Sequence, residues 1–310
     1  MKTAYITHPD CLKHEMTKGH PEEPARLIAI QEQLQSQQIW DFLEHFEPPA
    51  VEREALLRAH TKRHIDHLFK NAPQPGQPLF QADPDTFMNE HSLDAALKAA
   101  GAGVLAVDLI MDKKIDNAFC AIRPPGHHAE HDQAMGFCFF NNIAVAAAHA
   151  LEKYKLERIA IIDFDVHHGN GTEDIFENDP RVMVCSSYEH PLYPYSGRPT
   201  IPGHLINCPL KPGSAGPEFR MAVQKEWLPE LEAFKPQFIF ISAGFDAHWQ
   251  DDMAQLQLNE TDYRWVTQKI VKIAQTHAKG RIVSMLEGGY ILGALARSAE
   301  QHIRVLMGLD

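Results

Sequence analysis

Apolar residues along the chain follow two rhythms. Short, β-branched runs occupy Thr3 to Ile6, Asn117 to Ile122, Arg158 to Asp163, Arg181 to Ser186, Gln237 to Ser242 and Arg281 to Met285, and these predict strands. Between them lie longer amphipathic stretches, which predict helices over Pro24 to Gln37, Leu93 to Met111, Asn142 to Tyr154, Pro217 to Ala233, Thr261 to His277 and Ile291 to Met307. Strand followed by helix, repeated, predicts an α/β fold: an open parallel sheet with helices on both faces. The Gly- and Pro-rich segments Asn71 to Gly76 and Tyr193 to Gly216 read as surface loops, because periodic strands resume after each. Residues 1–310 are therefore expected to form a single domain. In such sheets ligands gather at the carboxyl ends of the strands, so chemistry is sought just after each predicted strand.

Four segments answer that search. In Ile161-Ile162-Asp163-Phe164-Asp165-Val166-His167-His168-Gly169-Asn170-Gly171-Thr172, a strand continued through the run would turn Asp163, Asp165 and His167 to one side. Carboxylate oxygen and imidazole nitrogen are ordinary zinc ligands, and three of them leave a fourth position for water. Arg123-Pro124-Pro125-Gly126-His127-His128-Ala129-Glu130 follows another strand and presents two adjacent imidazoles, a pairing suited to a general acid and base. Read alone it fits a satisfied polar turn equally well. Phe240 to His248 brings Asp246 after a strand; alone, that acid reads more readily as a helix N-cap. Met285-Leu286-Glu287-Gly288-Gly289-Tyr290 ends on a phenol beside two glycines that clear space near a pocket.

Other patterns carry nothing. Gly101 to Ala106 matches the dinucleotide motif in letters, but it follows a helical run where that motif requires a strand, so it reads as helix packing. His14-Glu15-Met16-Thr17-Lys18 begins like a two-histidine metalloprotease motif, yet Lys18 replaces the second ligand; it is expected to be a surface loop. Neither a nucleophile-elbow G-x-S-x-G nor a phosphate loop occurs.

Composition narrows the partners. With 29 Lys and Arg against 41 Asp and Glu, the net charge of −12 and the lack of basic blocks exclude a phosphate-neutralising surface, so no nucleic acid is expected. The apolar stretch at Ala4 to Ile6 is too short for a signal peptide, and Ile143 to Leu151 is far below a bilayer span. A cytoplasmic protein without membrane contact is the expectation. The five scattered cysteines, Cys11, Cys120, Cys138, Cys185 and Cys208, suit reduced thiols.

Taken together and in order, the four segments resemble the zinc-dependent histone deacetylase family, in particular its class II-like branch of bacterial deacetylase-like amidohydrolases and acetylpolyamine amidohydrolases. The resemblance begins at Gly19 to Arg26, like the family's first substrate-side loop, and covers nearly the whole chain. It implies the arginase/deacetylase fold, with a sheet of about eight strands. It assigns one Zn2+ per chain to Asp165, His167 and Asp246, and makes His127 and His128 the tandem histidines. His127 is then held by Asp163 and His128 by Asn170, where the class I branch carries Asp. Tyr290 falls on the catalytic tyrosine. Phe137 and Tyr193 would wall an acyl-lysine channel that Gly289 and Met253 adjoin. A looser alignment implies a structural K+ held by carbonyls of Asp163, Asp165 and His167 with Ser186 and Ser187.

The implied reaction is hydrolysis of an acyl-lysine amide by metal-activated water, in a monomer or loose homodimer. An acetylated polyamine is the competing substrate; polyamine-selective members carry an acid seven positions after the third zinc ligand, where this chain has Met253, with Asp251 and Asp252 adjoining it. Outside that reaction stand a silent acyl-lysine binder, which the intact ligands and Tyr290 argue against, and a di-manganese ureohydrolase, which needs more acidic ligands.

Overall fold

A computed structural model describes residues 1–309. Among them, eight strands form one parallel sheet: β1 (Thr3–Ile6), β2 (Glu44–Phe46), β5 (Asn117–Cys120), β6 (Ile159–Asp163), β7 (Val182–Glu189), β8 (Leu205–Leu210), β9 (Phe238–Ala243) and β10 (Ile282–Leu286). Their order across the sheet is β2-β1-β5-β10-β9-β6-β7-β8. A separate antiparallel hairpin pairs β3 (Phe80–Asp83) with β4 (Thr86–Met88).

The pleat divides the strands between two cores. Ile161, Phe240, Val283 and Met285 face one side, packed with the alanine-rich helices Ser92–Met111 and Asn142–Tyr154. Ile162, Ile241, Ile282 and Leu286 face the other, against helices Ala25–Ser36, Glu260–His277 and Leu292–Met307. Both faces are buried, which is why these strands read as nearly continuous apolar runs. Gly101 packs under Pro49 and Gly103 against Ala146 and Met285, so that motif does pack helices. All five cysteines are buried free thiols, and among the described residues no helix is long and apolar enough to cross a membrane.

Several elements depart from the sequence expectation. The supposed loop Tyr193 to Gly216 contains β8, an edge strand that accommodates Pro209 because one side of its backbone needs no partner. β2 and the two hairpin strands are too short to show a period. Helices Arg53–Leu56, Lys62–Asn71 and Asn170–Phe176 also escaped. Pro217 to Ala233 is two helices, Gly216–Ala222 and Leu228–Phe234, joined by a π turn at Val223–Trp227; Pro229 has no N–H to close the regular ladder there. His14 is not on a surface loop. It is fully buried, with Nδ1 2.7 Å from Ser92 Oγ and Nε2 3.5 Å from Glu22.

Candidate active site

Sheet register builds the site. Asp163, Ser242, Met285 and Cys120 pair across four adjacent strands, so the segments that follow leave the sheet side by side. β6 ends at Asp163, and the strand does not continue to His167 as supposed. A turn replaces it: the N–H of Asp165 donates to Asp163 Oδ1 at 3.0 Å, and the N–H of His167 to Asp165 Oδ1 at 2.9 Å. Side-chain acceptors on the backbone, not the pleat, gather these three residues. Asp246 caps no helix, since the next one starts at Glu260; its Oδ1 accepts the N–H of Val166 at 2.9 Å and ties the two segments together.

The result is a buried group in which Asp165, His167 and Asp246 each offer a ligand atom, all within 4.8 Å of one another. His167 Nδ1 stands 3.1 Å from Asp165 Oδ1 and 3.2 Å from Asp246 Oδ2. Asp246 Oδ2 makes no hydrogen bond despite its burial. Burial works against charge on His167, but the two carboxylates outweigh it and raise its pKa to about 10. Burial and the charge of Asp165 push Asp246 up to about 6. Two acids, one imidazole and an unpaired lone pair are a donor set for a divalent cation. Glycines make this convergence sterically feasible: a Cβ on Gly244 would lie 2.0 Å from Asp165 Oδ2, and one on Gly288 2.1 Å from Asp246 Oδ2.

Beside this group the two imidazoles lie with ring centres 4.1 Å apart. His127 Nδ1 is 2.8 Å from Asp163 Oδ2. Burial opposes its charge, yet Asp163, Asp165 and Glu287 outweigh that and hold its pKa well above the imidazole range. His128 is the opposite case: burial first, then the charges of His127 and His167, hold it well below that range. Its Nδ1 lies 2.7 Å from Asn170 Oδ1, while Asn170 Nδ2 donates to Glu130 Oε1 at 2.8 Å. The carboxylate fixes which way the amide points, so Nδ1 of His128 carries the proton and Nε2 has a free lone pair.

A cavity of about 250 Å³ opens above these groups, lined among others by His128, His167, Phe137, Tyr193, Met253 and Tyr290. Of the expected channel residues, Gly289 is displaced from the lining by Gly288; its carbonyl instead accepts Arg26 Nε at 2.7 Å. Asp251 is turned away from the cavity onto backbone N–H groups. Ser186 Oγ is buried without a hydrogen-bond partner, in register with Asp163, and Ser187 beside it is buried.

Sequence reasoning missed three contributors. Asp85, on the hairpin turn, lines the cavity; it accepts from Thr86 Oγ1, which in turn accepts the N–H of Phe137 at 2.9 Å and steadies that residue's left-handed φ of 69°. Burial and neighbouring Asp85 push the carboxyl of Asp83 up to about 6. Glu287 accepts the N–H of Gly126 at 2.7 Å and of His127 at 3.1 Å, anchoring the tandem histidines to β10. Arg26 crosses beneath, donating to the carbonyls of Glu287 and Gly289. Only Arg26 had a signal, as a cation four residues after Glu22, with which it pairs in full burial.

Such a site at the carboxyl ends of a parallel sheet fits an enzyme of α/β architecture with a buried metal-binding donor set, and comparison with known proteins identifies the family. A family profile described as "Histone deacetylase domain" matches residues 20–306. The chain is 37% identical to a "Probable deacetylase" of Archaeoglobus fulgidus, over 100% of this chain and 88% of that one. It is 37% identical to a "Histone deacetylase-like amidohydrolase" of Pseudomonas aeruginosa, over 88% and 73% of the two chains. The crystal structure of the "HDA15 HD domain" superposes with a TM-score of 0.92 at 33% identity, covering 100% of this chain and 90% of that one. The chain belongs to the histone deacetylase family and has its arginase/deacetylase fold. It is a hydrolase acting on amide bonds.

Proposed function

We propose that this enzyme is a zinc-dependent amidohydrolase that removes acetyl or other acyl groups from lysine side chains. The observation that carries the reading is the meeting of Asp165, His167 and Asp246 beside the free Nε2 of His128 at the floor of an apolar-walled cavity. Zinc on these three ligands would acidify a water and polarise an amide carbonyl.

The chain's own groups carry the rest. His128 Nε2 takes a proton from the attacking water and delivers it to the departing amine. His127, kept cationic by Asp163, places positive charge beside the negative charge that develops. The Tyr290 hydroxyl donates to the same oxygen from the cavity wall. Phe137 and Tyr193 flank an alkyl chain, and their rings exclude water from it. The products are a carboxylic acid and a free amine. The unpartnered Ser186 Oγ beside the Asp163 turn suits a structural K+.

Two features bear on substrate. Met253 puts an apolar side chain in the cavity where polyamine-selective members carry an acid, which supports acyl-lysine. Asp85 does not discriminate, because a carboxylate at the rim serves peptide N–H groups or a second ammonium equally. The test is hydrolysis of an acetyl-lysine peptide and of acetylputrescine by chelator-stripped enzyme reloaded with zinc or ferrous iron. Metal-restored turnover favouring the peptide is expected. Faster turnover of acetylputrescine replaces the substrate assignment, and turnover untouched by the chelator removes the metal from the mechanism.

A further inference from the structure

The segment after Asp246 and the turn carrying Tyr290 meet at one side chain, Asp251. It is 5% exposed. Its Oδ2 accepts the N–H of Tyr290 at 2.7 Å and of Ile291 at 3.2 Å, and its Oδ1 accepts the N–H of Met253 at 3.2 Å. Its own N–H donates to the carbonyl of His248 at 2.8 Å, anchoring the carboxylate in the opposing segment.

Tyr290 needs such an anchor. It lies outside regular structure, between the end of β10 at Leu286 and the helix beginning at Leu292, and it follows Gly289 at φ 115°. Arg26 grips the carbonyl of Gly289 and stands 4.9 Å over the phenol ring, so it restrains the preceding peptide and the ring. The N–H at the root of the tyrosine is left to Asp251. A small rotation at that root is magnified along the side chain to the hydroxyl, and misplacing a reacting group by about 1 Å can cost about 10²-fold in rate.

We propose that Asp251 is a positioning residue for Tyr290, setting the phenol's reach by holding its backbone and tying it to the cavity-lining Met253 segment. The inference rests on the amidohydrolase reading above. Asp251→Asn keeps the shape but replaces one acceptor oxygen by a donor, opposing the two N–H groups or the third.

The test is a double-mutant cycle on zinc-loaded enzyme with an acetyl-lysine coumarin peptide. Tyr290→Phe is expected to lower kcat by about 10²- to 10³-fold. Asp251→Asn is expected to lower kcat by about 10- to 10²-fold with KM nearly unchanged. In the Tyr290→Phe background, Asp251→Asn should cost less than about twofold, because there is no hydroxyl left to misplace. Equal costs in both backgrounds overturn the proposal, as does a native-like kcat for Asp251→Asn. Zinc content and affinity are measured alongside: a loss in Asp251→Asn shows action through Asp246 instead, and also overturns it. If Asp251→Asn does not fold, the cycle is run with Asp251→Glu, which keeps the charge but shifts the acceptors, and is read by the same criteria. A native enzyme without turnover, or one indifferent to Tyr290→Phe, overturns the amidohydrolase reading and this inference with it; additivity in an active enzyme overturns the inference alone.

Discussion

The floor of the cavity and its rim are built by different rules. At the floor, Asp165, His167, Asp246 and both tandem histidines are buried and held by strand-end register and by carboxylates accepting backbone N–H groups. At the rim, the cavity is bounded by the turn of a short hairpin at Asp85 and by irregular segments that carry Leu192, Tyr193 and Met253. Chemistry rests on buried groups fixed by the sheet, while recognition sits on segments that can vary in sequence without disturbing the sheet. Floor changes should therefore alter turnover or metal binding, and rim changes substrate affinity.

The largest effect expected is at the floor. His128→Ala removes the proposed base and should lower kcat by about 10²- to 10⁴-fold, with zinc content unchanged. Rapid turnover in that variant would move the base elsewhere. Next is Gly288→Ala, whose added methyl meets the carboxylates of Asp246 and Asp165. Zinc affinity should fall by about 10- to 100-fold, read by competition with a chromophoric chelator. Normal affinity would show that these carboxylates have room to move.

The proposed ligand set also predicts a pH dependence. His167, raised to about 10, and Asp246, raised to about 6, hold protons that a cation must displace. Deprotonation favours the metal, so apparent zinc affinity should rise by about tenfold per unit between pH 6 and 8 through His167, with Asp246 steepening the slope only below about pH 6. A flat profile would mean that these groups are not the ligands. The smallest effect belongs to the rim. Asp85→Asn should raise KM for a cationic substrate by about two- to fivefold, as for exposed ion pairs, and leave kcat alone. A fall in kcat instead would reveal that the hairpin, through Thr86 and Phe137, reaches the chemistry.

What could be read from the chain follows the same division. Strands such as Ile159–Asp163 and Phe238–Ala243 announce themselves because both faces are buried. The floor residues sit in short contiguous motifs just after such strands, where composition changes abruptly from Ile and Phe to acids and histidines. Asp246 was legible only in company, since its own surroundings suggested a helix cap.

The residues that escaped act through partners far along the chain. Pro209 disguises β8, whose edge position exists only once β7 lies beside it. His14 seemed exposed because its burial depends on Glu22 and on Ser92, 78 residues away. Glu287, Asp251 and Asp85 are ordinary acids in sequence; what each holds is decided by segments that only packing brings near. Periodicity and local motif are properties of neighbours in the chain, so the sequence by itself determined the layered α/β plan and the identity of the reactive groups. Register, burial and the capture of backbone N–H groups are properties of neighbours in space, so only the tertiary structure decided how those groups converge and what steadies them.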